Sequence, residues 1–108
     1  MKLKTSKIFL LYINDHPIAF AHCQLRYEYV EGTKTNPVGY LEGIFVKKEY
    51  RKRGYSKFLI KSCESWLKTK NCTEFASDSR IDNTDSYYFH TSNNFMEVNR
   101  IICYKKDI

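Results

Sequence analysis

The stretch from Gly39 to Leu59 constrains the fold more than any other, because it joins an apolar strand, a basic turn and an amphipathic helix without interruption. Gly39-Tyr-Leu-Glu-Gly-Ile-Phe-Val46 is the strand, Arg51-Lys-Arg-Gly-Tyr-Ser56 the turn, and the helix starts at Tyr55. The first amides of a helix have no internal carbonyl partners and carry the positive end of its dipole. A glycine-containing turn at that point wraps N–H groups around an anion, and Gly54 lets the backbone come close. Seven basic residues and one acid, Glu49, lie between Lys47 and Lys61, so the field around those amides is strongly positive. A polyphosphate suits such a turn better than a single carboxylate does.

At 108 residues the chain is expected to form a single domain over 1–108, with no second one hidden in it. A hydrophobic share of 43% beside a charged share of 28% is ordinary for a globular protein and argues against disorder. The net charge of +6 admits nucleic acid, an anionic membrane or a polyanionic ligand. Its concentration at the turn favours the ligand, and the chain lacks the aromatic-basic RNA motifs and the helix-turn-helix pattern of nucleic-acid modules. Cys23, Cys63, Cys72 and Cys103 are far apart, without a C-x-x-C pair or a histidine in ligand spacing, so no metal is expected and the thiols read as reduced, mostly buried small hydrophobes. Lys2, Lys4 and Lys7 before Ile8–Ile13 imitate a signal peptide, but the apolar run stops at Asn14-Asp15, and a cytoplasmic protein is expected.

Along the chain, Ile8–Ile13 and a run from Ile18 to about Tyr29 flank the turn cluster Asn14-Asp15-His16-Pro17, which predicts a hairpin. Glu31-Gly-Thr-Lys-Thr-Asn-Pro37 is a loop, and Val38–Val46 the third strand. Gly43 inside that strand marks a bulge or a close approach by a ligand. Phe58, Leu59, Cys63, Trp66 and Leu67 recur at helical spacing until Lys70-Asn71. Phe75-Ala76-Ser77 predicts a short strand and Thr84–Ser92 a second helix, capped by Asp82-Asn83 and burying Tyr87-Tyr88-Phe89. Asn94 is placed for a left-handed residue, and Val98–Tyr104 is expected as the closing strand. The order β-β-β-α-β-α-β predicts an α/β or α+β sandwich with a mixed sheet.

Arg51-x-x-Gly54-x-Ser56 between strand and helix resembles the Arg/Gln-x-x-Gly-x-Gly/Ala motif of the GCN5-related N-acetyltransferases, with Ser56 in place of Gly or Ala. The wider run from Phe20 is similar to the bacterial aminoglycoside 6'-N-acetyltransferases through Arg26-x-Glu28-Tyr-Val, Tyr40-Leu-Glu-Gly-Ile-Phe-Val46, Cys72-Thr-Glu-Phe-Ala-Ser-Asp78 and Asp82-Asn83. The resemblance implies acetyl-coenzyme A as cosubstrate. Its pyrophosphate would lie on Arg51, Lys52, Arg53, Gly54, Tyr55 and Ser56, its pantetheine arm and thioester along Ile44, Phe45 and Val46, with Asn83 bonding the arm. The resemblance also implies a strand and helical segments ahead of the hairpin in relatives, so the chain reads as N-terminally short. Sheet surface left bare in that way favours a homodimer.

Acetyl transfer to an amine needs a freed lone pair, a stabilised oxyanion and a tolerated thiolate. Glu42 interrupts an apolar strand, where a carboxylate requires a cation or donors. It is a candidate to bind the acceptor's ammonium or take its proton through water; the plainer alternative is a pair with Arg26. Asp78 ends the strand after Phe75 and matches the acidic residue that the resembling enzymes set against aminoglycoside amines. His90 stands where many relatives carry a Tyr that protonates the departing thiolate, although a lone helical histidine commonly just packs. A cationic small-molecule acceptor must overcome the net charge, and Glu28, Glu31, Glu74, Asp82 and Asp85 join Glu42 and Asp78 as acids that could form its pocket. The alternatives are transfer to a polyamine or peptide amine, and a truncated acetyl-CoA-binding protein without aminoglycoside activity.

Overall fold

A computed structural model describes residues 5–108 and resolves into two compact units, one ending at Asp78 and the other Ser79–Ile108. The first unit contains a four-stranded sheet in the order β1 (Ser6–Ile13), β2 (His16–Arg26), β3 (Val38–Val46), β4 (Phe75–Ala76). The first three strands run antiparallel and β4 lies parallel to β3, so the sheet is mixed. The apolar run that imitates a signal peptide is β1. Asn14 and Asp15 close the first hairpin with φ of 49° and 66°, a geometry that short polar side chains tolerate.

Alternation on β2 sets the two faces of the sheet. Ala19, Ala21, Cys23 and Leu25 point to α1 (Tyr55–Thr69) and are buried, whereas Phe20, His22, Gln24 and Arg26 point to the opposite face. The helix lays Leu59, Ile60, Cys63 and Leu67 over the buried set. Phe58, expected on the buried side, is exposed and Ile60 is in the core, because the buried stripe runs through Leu59, Ile60, Cys63 and Leu67 and Phe58 falls on the other side of the helix. Gly39 faces the helix too, and a Cβ there would fall 2.5 Å from Leu67 Cδ1. Helix and sheet reach this spacing because that position has no side chain.

The partners of β2 and β3 shift between His22↔Gly43 and Cys23↔Leu41, which leaves Glu42 as the extra residue of a β-bulge. The glycine in the strand thus marks an irregularity, as the sequence predicts. The β2–β3 loop is held by Glu74, whose Oε1 accepts from the amides of Lys34 (2.9 Å) and Thr35 (2.8 Å) and from the Thr35 hydroxyl. Glu74 belongs to this loop clamp rather than to a pocket of acids.

In the second unit α2 (Thr84–Ser92) forms as predicted, with Asn83 at its N-cap and Asn94 left-handed at φ 67°. Two expectations fail there. Tyr87 and Tyr88 are exposed and stack edge to face on each other, so α2 does not bury that side. Val98–Tyr104 forms no strand, because a strand needs a hydrogen-bonded neighbour and this segment has none within its unit; Val98, Ile101, Ile102 and Tyr104 are all exposed. The fold class stands without the closing strand. Among the described residues no helix is long and apolar enough to cross a membrane.

Candidate active site

On the sheet face away from α1, a chain of contacts joins β2, β3 and the segment that follows β4. Arg26 Nη2 donates to both oxygens of Glu42, at 2.7 and 3.0 Å. The Arg26 guanidinium lies 3.5 Å from the centre of the Tyr40 ring, and the Tyr40 hydroxyl donates to Asp78 Oδ2 at 2.6 Å. Glu42 and Asp78, remote in sequence, are thereby members of one cluster. The bulge explains the position of Glu42. Only 21% of its side chain is accessible, and the carboxylate folds back onto Arg26.

Tyr40 is the buried member, 6% exposed, packed with Val30, Val38 and Ala76. Burial first, and the hydrogen bond to Asp78 second, push its hydroxyl far above the usual tyrosine range. It therefore remains a proton donor that orients Asp78. The Glu42–Arg26 pair is the plainer of the two readings that the sequence offers for Glu42, and the structure forms it; Tyr40 does not stand out in the sequence. The alternation of β2 and β3 places Arg26 and Tyr40 on one face, and an Arg and a Tyr at the same end of adjacent strands is the signal that would have found the tyrosine.

The other part of the site is the edge of β3. Strand β4 pairs only with Gly39 and Tyr40, so beyond Tyr40 that edge has no strand beside it within the unit. The amide of Lys47 donates to Ile18 O at 2.8 Å, toward β2. Alternation then directs the Phe45 amide to β2 and the amides of Ile44 and Val46 to the open edge. Of the expected trio, two amides face outward. The Phe45 side chain instead joins the open face, its ring 6.4 Å from that of Phe20.

Past this edge the chain makes a short 3-10 turn, Lys48–Tyr50, and enters the basic turn. Lys52 and Gly54 have φ of 62° and 85°, and Gly54 is the N-cap of α1. Two left-handed residues so close together curl the backbone and leave the first amides of α1 pointing out of the helix. Arg51 is tied down, its Nε donating to Val46 O at 2.8 Å, which fixes the turn to the strand end. Arg53 lies by Tyr50, 5.7 Å from its ring centre. The donor set of cationic side chains and helix-start amides, continuing from two outward strand amides, suits an extended anionic ligand that offers hydrogen-bond acceptors along its length.

In the second unit, Asn83 Oδ1 accepts from the Ser86 amide at 3.0 Å and so caps α2. His90 Nδ1 lies 2.7 Å from Ser86 O; a carbonyl only accepts, so Nδ1 carries the proton. The ring is flanked edge-on by Phe89 and Phe95, with centres at 5.0 and 5.2 Å. Arg80 pairs with Asp82.

A bulged strand that opens into a basic, glycine-containing turn at a helix start, with a carboxylate cluster beside the bulge, is an arrangement suited to an anionic ligand laid along a strand edge. The chain belongs to the Acetyltransferase (GNAT) family, which it matches over residues 2–95. It is 44% identical over 100 residues to the aminoglycoside N(6')-acetyltransferase type 1 of Acinetobacter haemolyticus, an alignment that takes in 92% of this chain and 69% of that protein. With the corresponding protein of Acinetobacter baumannii it shares 47% over 91 residues, 84% of this chain and 62% of the relative. The solved structure of AAC(6')-Iy in complex with the bisubstrate analog CoA-S-monomethyl-acetylneamine superposes with a TM-score of 0.91 at 38% identity, over 96% of this chain and 71% of that one. The chain thus spans roughly two thirds of the length of these relatives.

Proposed function

We propose that this chain, acting as a single catalytic domain, transfers the acetyl group of acetyl-CoA to the 6'-amine of an aminoglycoside. The observation that carries the reading is the meeting of Glu42 and Asp78 in one cluster on the face that adjoins the outward edge of β3. The relatives' names specify the same amine, and AAC(6')-Iy is solved in complex with the bisubstrate analog CoA-S-monomethyl-acetylneamine.

Acetyl-CoA supplies an acetyl group already activated as a thioester. The basic turn, with Arg51, Lys52, Arg53, Gly54, Tyr55 and Ser56, holds the pyrophosphate, and the Ile44 and Val46 amides bind the extended arm and receive charge developing on the acetyl oxygen. Asn83 assists the arm. Glu42 and Asp78 bind the acceptor's ammonium groups and one of them takes the proton, directly or through water, so that the amine attacks without an acetyl-enzyme. His90, as the imidazolium, gives its Nε2 proton to the departing thiolate while Nδ1–H stays on Ser86 O; an unchanged rate in His90→Gln would remove it from this role.

The protein is cytoplasmic in this reading, where acetyl-CoA is available, and pairs with a second copy through the apolar face that exposes Ile8, Leu10 and Tyr12. Light scattering at a monomer mass would exclude the pairing. The functional test is calorimetric titration with acetyl-CoA, repeated with tobramycin or kanamycin and followed by mass analysis. A singly acetylated drug is expected; cofactor binding without product points to another acceptor, and no cofactor binding removes the reading.

A further inference from the structure

Arg26 occupies the place on Glu42 that an incoming ammonium requires. Both carboxylate oxygens lie on Arg26 Nη2, and the guanidinium is stacked on Tyr40 at 3.5 Å, so the arginine is held in a defined orientation. It remains reachable, with 38% of its side chain accessible. Asp78 is different: among the described residues its hydrogen-bond partner is a neutral hydroxyl, on Oδ2, and no cation neutralises it.

We infer that Arg26 determines acceptor specificity, as a built-in cation that holds Glu42 until a polycation displaces it and that turns away amines with one charge; this rests on the acetyl-transfer reading above. Exchanging one cation for another on a partly exposed carboxylate gains almost nothing in water. A monoamine has no other contact to offset the exchange, and if it settles on Asp78 alone it meets the positive field of Arg26. A polycation bound first to Asp78 presents its next ammonium to Glu42 at high effective concentration. Arg26 then needs only to leave the carboxylate, since its stack on Tyr40 does not depend on that pair. The selection is against the wrong acceptor rather than for the right one.

The test compares tobramycin with 6-amino-6-deoxy-D-glucose, which offers one primary amine on a single sugar. Arg26→Gln and Arg26→Met both remove the charge and keep a long side chain; two variants guard against one failing to fold, and thermal melting checks each. The preference in kcat/KM for tobramycin over the monoamine is expected to shrink roughly tenfold, through a lower KM for the monoamine with kcat little moved. Arg26→Lys, which keeps the charge, is expected to keep the preference. An unchanged ratio in the neutral variants, or an equal loss on both amines, overturns the inference. Calorimetry of the same two amines without acetyl-CoA reads the competition independently of turnover. If the wild type binds acetyl-CoA yet acetylates neither amine, the functional reading fails. Tighter monoamine binding to the neutral variants would then still uphold the role of Arg26, and equal or weaker binding would overturn it.

Discussion

The carboxylates at the site are distinguished by their partners. Glu42 faces a guanidinium and Asp78 a hydroxyl, so the same functional group stands in two electrostatic settings a few side chains apart. Glu42→Gln keeps the shape and a contact to Arg26 but removes the negative charge. Steady-state kinetics should show kcat/KM for the acceptor falling at least tenfold, about 1.4 kcal/mol of transition-state stabilisation, with acetyl-CoA affinity unchanged. Full activity in that variant would remove Glu42 from proton transfer and binding. Tyr40→Phe deletes the hydroxyl that orients Asp78 and leaves the ring under Arg26. Hydrogen bonds to charged groups contribute about 1.5–3 kcal/mol, so acceptor KM should rise about tenfold or more while the fold is kept. An unchanged KM would show that Asp78 needs no positioning. At this scale the sequence was half informative. Glu42 is conspicuous as a charge in an apolar strand and Arg26 is its evident counter-charge; Tyr40 looks ordinary until the strand register sets it beside them.

Elements succeed or fail by whether they have something to pack on. Val38–Val46 and Thr84–Ser92 form with the predicted bounds, since a continuous apolar run and a capped start define them locally. The segment Val98–Tyr104 has strand-forming residues but finds no edge in its unit, and hydrophobicity alone does not supply the missing hydrogen bonds. Gly39 shows the opposite case, in which an unremarkable residue sets the spacing of helix and sheet. Gly39→Ala should lower stability in denaturant titration by about 1–3 kcal/mol, since the new methyl meets the Leu67 side chain; a loss under half a kilocalorie would mean that Leu67 moves aside freely. The Glu74 clamp has a pH signature. The Thr35 hydroxyl foremost, and then the Lys34 amide, hold its carboxyl below the usual glutamate range. The clamp's contribution is therefore complete above the ordinary glutamate pKa and disappears as pH falls through the lowered value. Amide exchange at Lys34 and Thr35 should accelerate relative to the rest of the sheet as pH drops below the ordinary carboxylate range, and Glu74→Gln should remove that dependence.

For the molecule as a whole, the thiols report integrity. Cys23, Cys63 and Cys72 are buried and Cys103 is exposed. The neighbouring Cys23 sulfur together with burial raises Cys63 and burial raises Cys72, so these two react slowly even where reagent reaches them; Cys23, lowered by its hydrogen bond with Cys63, is protected by burial alone. A thiol reagent should modify one site within the mixing time and three only at the rate of unfolding; a second fast site would show that the core between β2 and α1 opens locally. The layered α/β plan was legible because alternation in β2 and the stripe on α1 are two statements of one interface. How the chain divides into units was not, since composition hardly changes across Asp78.

The bulge at Glu42 also has a consequence for engineering. Excising that single residue would restore continuous pairing, because Leu41 and Gly43 already oppose neighbouring residues on β2. The shortened chain would have a more regular sheet and no carboxylate there for a cation to meet. A single extra residue in the β2–β3 ladder is thus what sets a carboxylate on this face of the sheet.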